Sequence, residues 1–334
     1  MKYLFFFFLS LIYCEDKPKV YFTKTITPQA VVEMFKKLNV RLQEKVGLKV
    51  HSGEPNGPYF LRPDFLQPIY EHTKGTFIEC NVAYSGKRLT TEAHMNTSRI
   101  NGWLDNNRRF EIMDAEGDDI ILQIPNHNMI DKTYAGKKLN DYKSCLVLSH
   151  FKGHQMGGFG GALKQLSIGF GSTKGKTWIH TAGQSTNYSE AFTIPTPQEN
   201  FTASMADAAW AIHDYFSNKG GIAYINVLAN ISIDCDCAGK NASVPRINNI
   251  GILASTDPVA IDQACLDLIK KTSDPGTQAF LDRVAKKMGE NTIAAAVKLG
   301  FGKKEYILEE VTFNASIYLR INLLLLLLLF FLFV

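Results

Sequence analysis

Short apolar runs typical of buried strands alternate with amphipathic stretches typical of helices along most of the chain. Lys19–Thr23 and residues 144–149 read as strands, and the second run, SCLVLS, is apolar enough for a strand buried on both faces. Residues 200–216 carry apolar side chains at helical spacing, and Ile222–Leu228 again reads as a strand. This alternation predicts an α/β fold with parallel or mixed sheets flanked by helices, divided into two lobes with a cleft between them.

The two ends of the chain carry apolar segments of a different kind. Residues 1–14, MKYLFFFFLSLIYC, hold one lysine before an apolar run, which predicts a signal peptide too short to span a membrane. Residues 321–334 are almost entirely Leu and Phe, and three small residues beginning at Asn314 precede them. Residues 314–334 therefore predict either a GPI-attachment signal or a short tail anchor. We expect a single domain over residues 15–313, carried through the secretory pathway and attached to a membrane at the cell surface.

Charge and cysteine content limit the classes of partner. The net charge of the 334 residues is +4 with no basic block, so no nucleic-acid partner is expected. Five cysteines remain after the signal peptide, an awkward number for disulfide pairing in an oxidising compartment. They are therefore expected to line a site or to fill the core. Sequons for N-glycosylation fit an exported glycoprotein and begin at Asn96, Asn187, Asn200, Asn230, Asn241 and Asn314.

A glycine-rich run follows the apolar strand at residues 144–149. Its sequence from position 150 to 170 is HFKGHQMGGFGGALKQLSIGF, with two glycine pairs between histidines and a lysine. Paired glycines let backbone amides approach a ligand. The predicted cofactor-binding residues are Gly157, Gly158, Gly160, Gly161 and His150. The alternative is a tight glycine turn that only packs a strand against a helix.

Three polar side chains are the catalytic candidates: His154, Lys164 and His180. His150 and His154 would share a face if they lay in a helix. Lys164 supplies a positive charge or an amine nucleophile, and a histidine can act as a metal ligand or a general acid and base. His180 follows residues 177–179, which read as a strand, and the next loop can return it to the site. The expected partner is an unidentified small anionic ligand.

The sequence Asp-Cys-Asp-Cys at residues 234–237 is the second candidate site. Two thiols one residue apart between two carboxylates form an anionic cluster that suits a soft or borderline cation, such as a metal ion or an iron–sulfur cluster. Cys235, Cys237 and Cys80 are the predicted metal ligands. The neighbouring carboxylates should raise the pKa of the thiols unless a cation is bound. A disulfide, or free thiols on a polar loop, is the alternative.

These motifs carry a resemblance to a known family. Residues 147–169, VLSHFKGHQMGGFGGALKQLSIG, resemble the central motif of domain-of-unknown-function family 362, often labelled uncharacterised iron–sulfur-centre proteins. Further matching segments are VHSGEPNGP at 50–58, ECNVAYSGKR at 79–88, DCDC at 234–237 and NIGILASTDPVAIDQAC at 249–265. The resemblance implies a shared fold more than a reaction. Unlike the members that justify the label, this chain has no appended Cys-X-X-Cys-X-X-Cys ferredoxin module.

The spacing of His154, Lys164 and His180 is also similar to that in the lactate racemase family. The resemblance implies that Lys164 corresponds to a lysine that tethers a nickel-pincer nucleotide. It also implies that the two histidines bind the metal and move protons. The proline associated with that family after the lysine is absent from Gln165–Gly169.

Two functions follow from the sequence. In the first, the chain is an exported, membrane-anchored protein that binds a metal or metal cofactor in a Gly-rich His/Lys cleft, with redox or isomerase-type chemistry. In the second, it is a non-catalytic cell-surface binding protein that keeps the fold without a cofactor. The metal content of the natively purified chain separates the two.

Overall fold

The computed structural model describes residues 17–115, 117 and 119–313. The predicted signal peptide at 1–14, the C-terminal signal or anchor at 314–334 and the sequon at Asn314 lie outside these residues. No helix among the described residues combines the length and the apolar character that a membrane span requires. The single domain expected over residues 15–313 stays a prediction.

The described residues form a mixed α/β structure, which confirms the fold class. The strands are β1 Lys19–Thr23, β2 Val46–Lys49, β3 Thr76–Glu79, β4 Phe110–Ile112, β5 Asp119–Gln123, β6 Lys132–Gly136, β7 Ser144–His150, β8 Lys152–His154, β9 Gly158–Gly160, β10 Ile222–Leu228, β11 Gly251–Ser255 and β12 Ile307–Glu310. The helices are α1 Pro28–Lys37, α2 Gln67–Thr73, α3 Thr91–Ile100, α4 Ala162–Lys164, α5 Thr173–His180, α6 Gln198–Ser217, α7 Pro258–Lys270, α8 Thr277–Lys286 and α9 Gly289–Leu299. A π-helical turn, Gln165–Gly169, extends α4.

One eight-stranded sheet forms the centre, in the order β12-β1-β11-β10-β7-β2-β3-β4. Strand β11 runs antiparallel to both of its neighbours, and the other described pairs in this sheet are parallel. Strands β5 and β6 form a separate antiparallel pair, and so do β8 and β9. Both halves of the chain contribute strands to the central sheet, and a division into two lobes stays a prediction.

Apolar cores cover both faces of the sheet because its central strands are apolar throughout. In β7, Cys145 and Val147 face one core, while Leu146 and Leu148 face the other. Helices α6, α7 and α9 contribute to the first core, and α1 and α2 to the second. Since both faces of the sheet are covered, a polar ligand can reach this sheet where its strands end.

Side-chain caps fix where two of the helices begin. The Thr27 hydroxyl accepts a hydrogen bond from the Ala30 amide and starts α1. The Asp257 carboxylate accepts from the amides of Val259 and Ala260 and starts α7. In each helix a proline fills the first turn, where no intrahelical hydrogen bond is lost.

Two local predictions near the glycine run are wrong. Residues 177–179 belong to helix α5, because Ser172 caps the turn by accepting from the Gly175 amide and starts a helix there. His150 and His154 do not share a helical face, since they end the separate strands β7 and β8. The short β8–β9 hairpin turns the chain at residues 155–157 and carries it into α4.

Candidate metal centre and adjoining pocket

A pocket of about 270 Å³ lies beside the carboxyl ends of strands β2 and β3. His51, two residues beyond β2, and Glu79, the last residue of β3, line one side of it. His154 at the end of β8 lines the other side. Carboxyl ends of parallel strands meet at one edge of a sheet, and this edge is where α/β proteins most often bind ligands.

Three potential metal ligands meet at the pocket wall. The ligand atoms of His154, Cys235 and Cys237 all lie within 4.8 Å of one another. Cys235 is fully buried, whereas Cys237 is partly exposed and lines the pocket. Both cysteines lie in the loop that follows strand β10. A 3₁₀ turn at Asp236–Asn241 holds Cys237 beside Cys235. This group could hold a single cation at the edge of the pocket.

The two carboxylates of this loop do not join the thiols. Asp234 accepts hydrogen bonds from the amide and hydroxyl of Ser243, at 3.1 and 2.5 Å. Asp236 pairs with His150 at 2.9 Å and with Lys152 at 2.7 Å. Burial opposes the ionisation of Asp236, but the adjacent His150 and Lys152 outweigh it and hold the pKa of Asp236 below its ordinary value. The predicted anionic cluster of two thiols and two carboxylates is therefore wrong, because each carboxylate bonds to residues other than the two cysteines.

The pKa of Cys235 consequently moves in the direction opposite to the sequence expectation. The Cys237 thiol donates a hydrogen bond to the Cys235 sulfur, which lowers the pKa of Cys235 well below its ordinary value. Burial opposes this shift, and the Lys164 charge and the His154 ring support it. The same hydrogen bond raises the pKa of Cys237. The pair therefore favours one buried thiolate and one thiol.

The ring of His154 is held in one tautomer. Its Nδ1 accepts hydrogen bonds from the backbone amides of Met156, at 3.2 Å, and Gly157, at 2.9 Å. Burial, and then the Lys164 charge, lower the pKa of His154 to about 4, so the ring is neutral near pH 7. The proton of the neutral ring is then on Nε2, which is the nitrogen free to face Cys235. A cation bound at this nitrogen has to displace that proton.

Lys164 and His180 reach the pocket from two helices. Lys164 ends α4 and His180 ends α5, and both line the pocket together with His154. The His180 ring lies between Phe201, with centroids 4.7 Å apart, and Phe192, at 4.9 Å. Burial, and then the nearby His154 and Lys164, lower its pKa to about 3. Its buried Nδ1 has no hydrogen-bond partner among the described residues.

None of the four predicted cradle glycines lines the wall of this pocket, and two of them are closely packed instead. Gly158 has a φ of +79° and packs against Gly289. A Cβ at Gly161 would collide with the carboxylate of Asp262, which accepts hydrogen bonds from the amides of Ala162 and Leu163. Gly157 and Gly160 are less confined, since a Cβ at either would make only ordinary contacts. Gly161 therefore makes room for the carboxylate that begins α4, whereas the Gly157 amide donates a hydrogen bond to the His154 ring.

Two further predicted residues lie away from the metal group. The His150 ring lies between two oxygen atoms, with Nδ1 2.9 Å from Asp236 Oδ1 and Nε2 2.7 Å from the Ala229 carbonyl oxygen. His150 thus supports the cysteine loop through Asp236 and does not line the pocket. Cys80 is buried, and its thiol donates to the Phe170 carbonyl at 3.3 Å. Burial, and then the charge of Asp114, raise the pKa of Cys80 to about 12. Cys80 does not belong to the ligand group of His154, Cys235 and Cys237.

Several pocket residues were missed by the sequence reasoning. They are His51, Glu79, Tyr84, Lys176 and Phe192. His51 and Glu79 lie at the carboxyl ends of β2 and β3, and that position is a usable signal because ligand sites collect at strand ends. Arg88 follows Lys87 in the sequence, and nothing else there singles it out. Its side chain is buried and bridges Glu54 at 2.8 Å and Glu79 at 3.2 Å.

Comparison with solved structures gives two similar but distant folds. One is the lactate racemase apoprotein from Thermoanaerobacterium thermosaccharolyticum, with 14% identity and a TM-score of 0.40, covering 71% of this chain and 54% of that one. The other is a protein from Thermotoga maritima, with 10% identity and a TM-score of 0.39, covering 81% of this chain and 58% of that one. This chain thus spans little more than half the length of either structure.

Sequence comparison identifies the family. No curated protein matches the chain. Residues 46–267, which include His51, the glycine run and the cysteine loop, match the family described as domain of unknown function (DUF362). Because the match covers most of the described residues, the chain belongs to the DUF362 family.

Proposed function

We propose that this protein binds one borderline divalent cation, such as Zn²⁺, through Cys235, Cys237 and His154, beside a pocket for a small organic anion. The observation that supports the proposal most directly is the convergence of two sulfurs and one imidazole within 4.8 Å. Sulfur and imidazole donors suit zinc and similar borderline cations.

The donor set fits such a cation with little rearrangement. A tetrahedral zinc with Zn–S bonds of about 2.3 Å places its sulfurs roughly 3.8 Å apart, so the donors need to move together by at most about 1 Å. Three protein ligands leave one position open, which is the arrangement of catalytic rather than structural zinc. Cys237 lines the pocket, so the open position would face a ligand.

A single cation is favoured over an iron–sulfur cluster. Clusters of the common kinds are held by four cysteine thiolates. Only two thiols belong to the ligand group formed by the described residues. Cys80, Cys145 and Cys265 are buried elsewhere, and burial raises the pKa of each.

The surrounding side chains fit proton-transfer chemistry of an isomerase type. A bound cation would supply Lewis-acid polarisation at the pocket wall. Lys164 would hold the charge of an anionic ligand, and His180, kept neutral by burial, would accept or return a proton. His154 would serve the cation as a ligand.

Calorimetric zinc titration of the natively purified protein tests the metal site. We expect one bound zinc per chain, and Cys237→Ser should weaken binding at least a hundredfold because it removes a ligand. Affinity should fall as pH falls, since zinc displaces the proton of the Cys237 thiol. Cys80→Ser is the matched control, because serine keeps the hydrogen bond to Phe170 outside the ligand group.

Two outcomes would contradict the metal proposal. One is a Cys235–Cys237 disulfide in the natively purified protein, seen as a mass change on reduction. The other is equal loss of zinc binding in Cys237→Ser and Cys80→Ser, which would mean that the zinc site is elsewhere.

Export and membrane attachment are the second part of the proposal, and they rest on residues 1–14 and 314–334. Release of the protein from cells by phosphatidylinositol-specific phospholipase C would support a GPI anchor. Retention, with the Leu/Phe peptide still present by mass spectrometry, would favour a tail anchor. Glycans at the exposed Asn96, Asn187, Asn230 and Asn241 would support passage through the secretory pathway.

A further inference from the structure

The pocket wall carries more positive than negative charge. Arg88, Lys164 and Lys176 line it, and Glu79 is its one carboxylate among the described residues. Arg88 already pairs with Glu79 and Glu54. The Lys164 ammonium makes no ion pair or hydrogen bond with a described residue. The Lys176 ammonium donates to the Gly171 carbonyl at 2.5 Å and has no carboxylate within ion-pair distance in the described chain. Two cations are therefore left for the charge of a ligand.

The remainder of the wall is apolar. Val82, Ala83, Met156, Ile168 and Phe192 line it. Phe192 is 49% exposed although its ring packs on His180. A large aromatic side chain at the mouth of a charged pocket gains stability when a ligand covers it. This wall offers an apolar subsite next to the cations.

The segment that carries Phe192 is held to the rest of the molecule mainly by packing. In the described chain, Ser185 bonds with Thr181 and Glu190, and the hydrogen bonds of residues 186–196 stay within the same segment. Phe192 reaches the pocket through its contact with His180 at 4.9 Å. Its ring can therefore adjust to a flat ligand without breaking a hydrogen bond to the core.

An unpartnered polar atom also points to a ligand or water at this place. His180 is 8% exposed, and its Nδ1 has no hydrogen-bond partner among the described residues. The ring stacks nearly parallel on Phe201, at 9°, and Phe192 lies on its other side. Three rings thus lie one after another between the core and the pocket mouth, in the order Phe201, His180 and Phe192.

We propose that the pocket takes an aromatic carboxylate, with its charge on Lys164 and Lys176 and its ring against Phe192 and Met156. This inference rests on the proposed function, because it names the class of anion that would lie beside the cation. It adds the apolar subsite, which selects aromatic anions over small ones of the same charge.

Binding of simple probes to the zinc-loaded, full-length protein tests this inference. Phenylacetate carries both features, acetate only the charge, and 2-phenylethanol only the ring. We expect phenylacetate to bind at least about tenfold more tightly than either of the other two, because ring burial adds to charge pairing. Lys164→Met should abolish the binding of both anions.

Two aromatic residues of one segment give a matched pair of variants. Phe192→Ala should remove the preference for phenylacetate over acetate while acetate binding persists. Tyr188→Ala should leave both affinities unchanged, because Tyr188 is similarly exposed, at 46%, but does not line this pocket.

The outcomes separate this inference from the metal proposal. Equal affinities for acetate and phenylacetate, or no binding of either by a protein that retains one zinc, would overturn the inference and leave the metal site standing. The expected phenylacetate pattern in a protein that binds no zinc would support the ligand class and overturn the metal site.

Discussion

Lys164 and the glycines that precede it lie a few residues apart, yet their surroundings are opposite. Lys164 lines the pocket, and no carboxylate of the described part of the chain pairs with its ammonium. Gly158 and Gly161 lie where another chain segment leaves no room for a side chain. A run rich in glycine, histidine and lysine therefore combines packing positions with site positions, and residue spacing alone does not separate the two.

The largest effect that this comparison predicts is at a packing glycine. Gly161→Ala should lower the free energy of unfolding by about 3 kcal/mol, because its Cβ displaces the Asp262 carboxylate that caps the start of α4. Urea unfolding measures the change. Gly160→Ala is the control, since its Cβ would approach no closer than 3.4 Å to the flexible Lys164 side chain.

An equal loss in both alanine variants would break the distinction between the two glycines. If Gly161→Ala kept its stability but lost ligand binding, the glycine run would be a ligand-binding segment, as the sequence predicts.

A second prediction concerns the buried histidine of the pocket. Because burial lowers the folded-state pKa of His180 to about 3, the unfolded chain binds more protons below pH 6.5. Stability is therefore lost as pH falls from 6.5 towards 3, by about 1.4 kcal/mol per pH unit for this ring. His180→Gln should make the measured slope shallower.

A second histidine, His213, gives a comparison because it is half-buried and does not line the pocket. Burial lowers its pKa to about 4, and its Nδ1 lies 2.6 Å from the Tyr224 hydroxyl. His213→Gln should also reduce the acid slope, but only His180→Gln should alter phenylacetate binding. A His180 variant with an unchanged acid slope would show that this ring protonates freely in the folded protein.

The smallest expected stability effect belongs to Lys164. Lys164→Met should change the free energy of unfolding by no more than about 0.5 kcal/mol, because the ammonium makes no ion pair or hydrogen bond with a described residue. Thermal and urea unfolding check this value alongside the binding measurements. A loss of about 2 kcal/mol or more in the free energy of unfolding would contradict this and indicate that Lys164 is a structural counter-ion of the Cys235 thiolate.

The sequence predicts most of the fold because each element depends on local information. The apolar run of β7 and the caps Thr27 and Asp257 are readable from single positions. Helix α5 was not predicted because Thr177 and Ile179 favour strands. The Ser172 cap and the packing of Gly175 against Tyr134 impose a helix there. The antiparallel direction of β11 in the eight-stranded sheet depends on pairing with β1 and β10, which no local pattern reports.

The candidate site was predicted less completely, because it is assembled from distant segments. His154, Lys164, His180 and Cys237 were singled out by residue type, and the structure brings them to one pocket. The grouping of Cys80 with the two other cysteines is wrong, since its thiol is directed to the Phe170 carbonyl. The partners of Asp234 and Asp236 lie on other elements, so the sequence could not show that these carboxylates turn away from the thiols.

Zinc K-edge X-ray absorption on the zinc-loaded protein tests the central proposal most directly. The account predicts two sulfurs at about 2.3 Å and one imidazole nitrogen at about 2.0–2.1 Å, with a lighter atom in the fourth position. Loss of one sulfur shell in Cys237→Ser, but not in Cys80→Ser, would assign the ligands. A first shell without sulfur, or a protein that retains no zinc while Cys235 and Cys237 are reduced, would contradict the account.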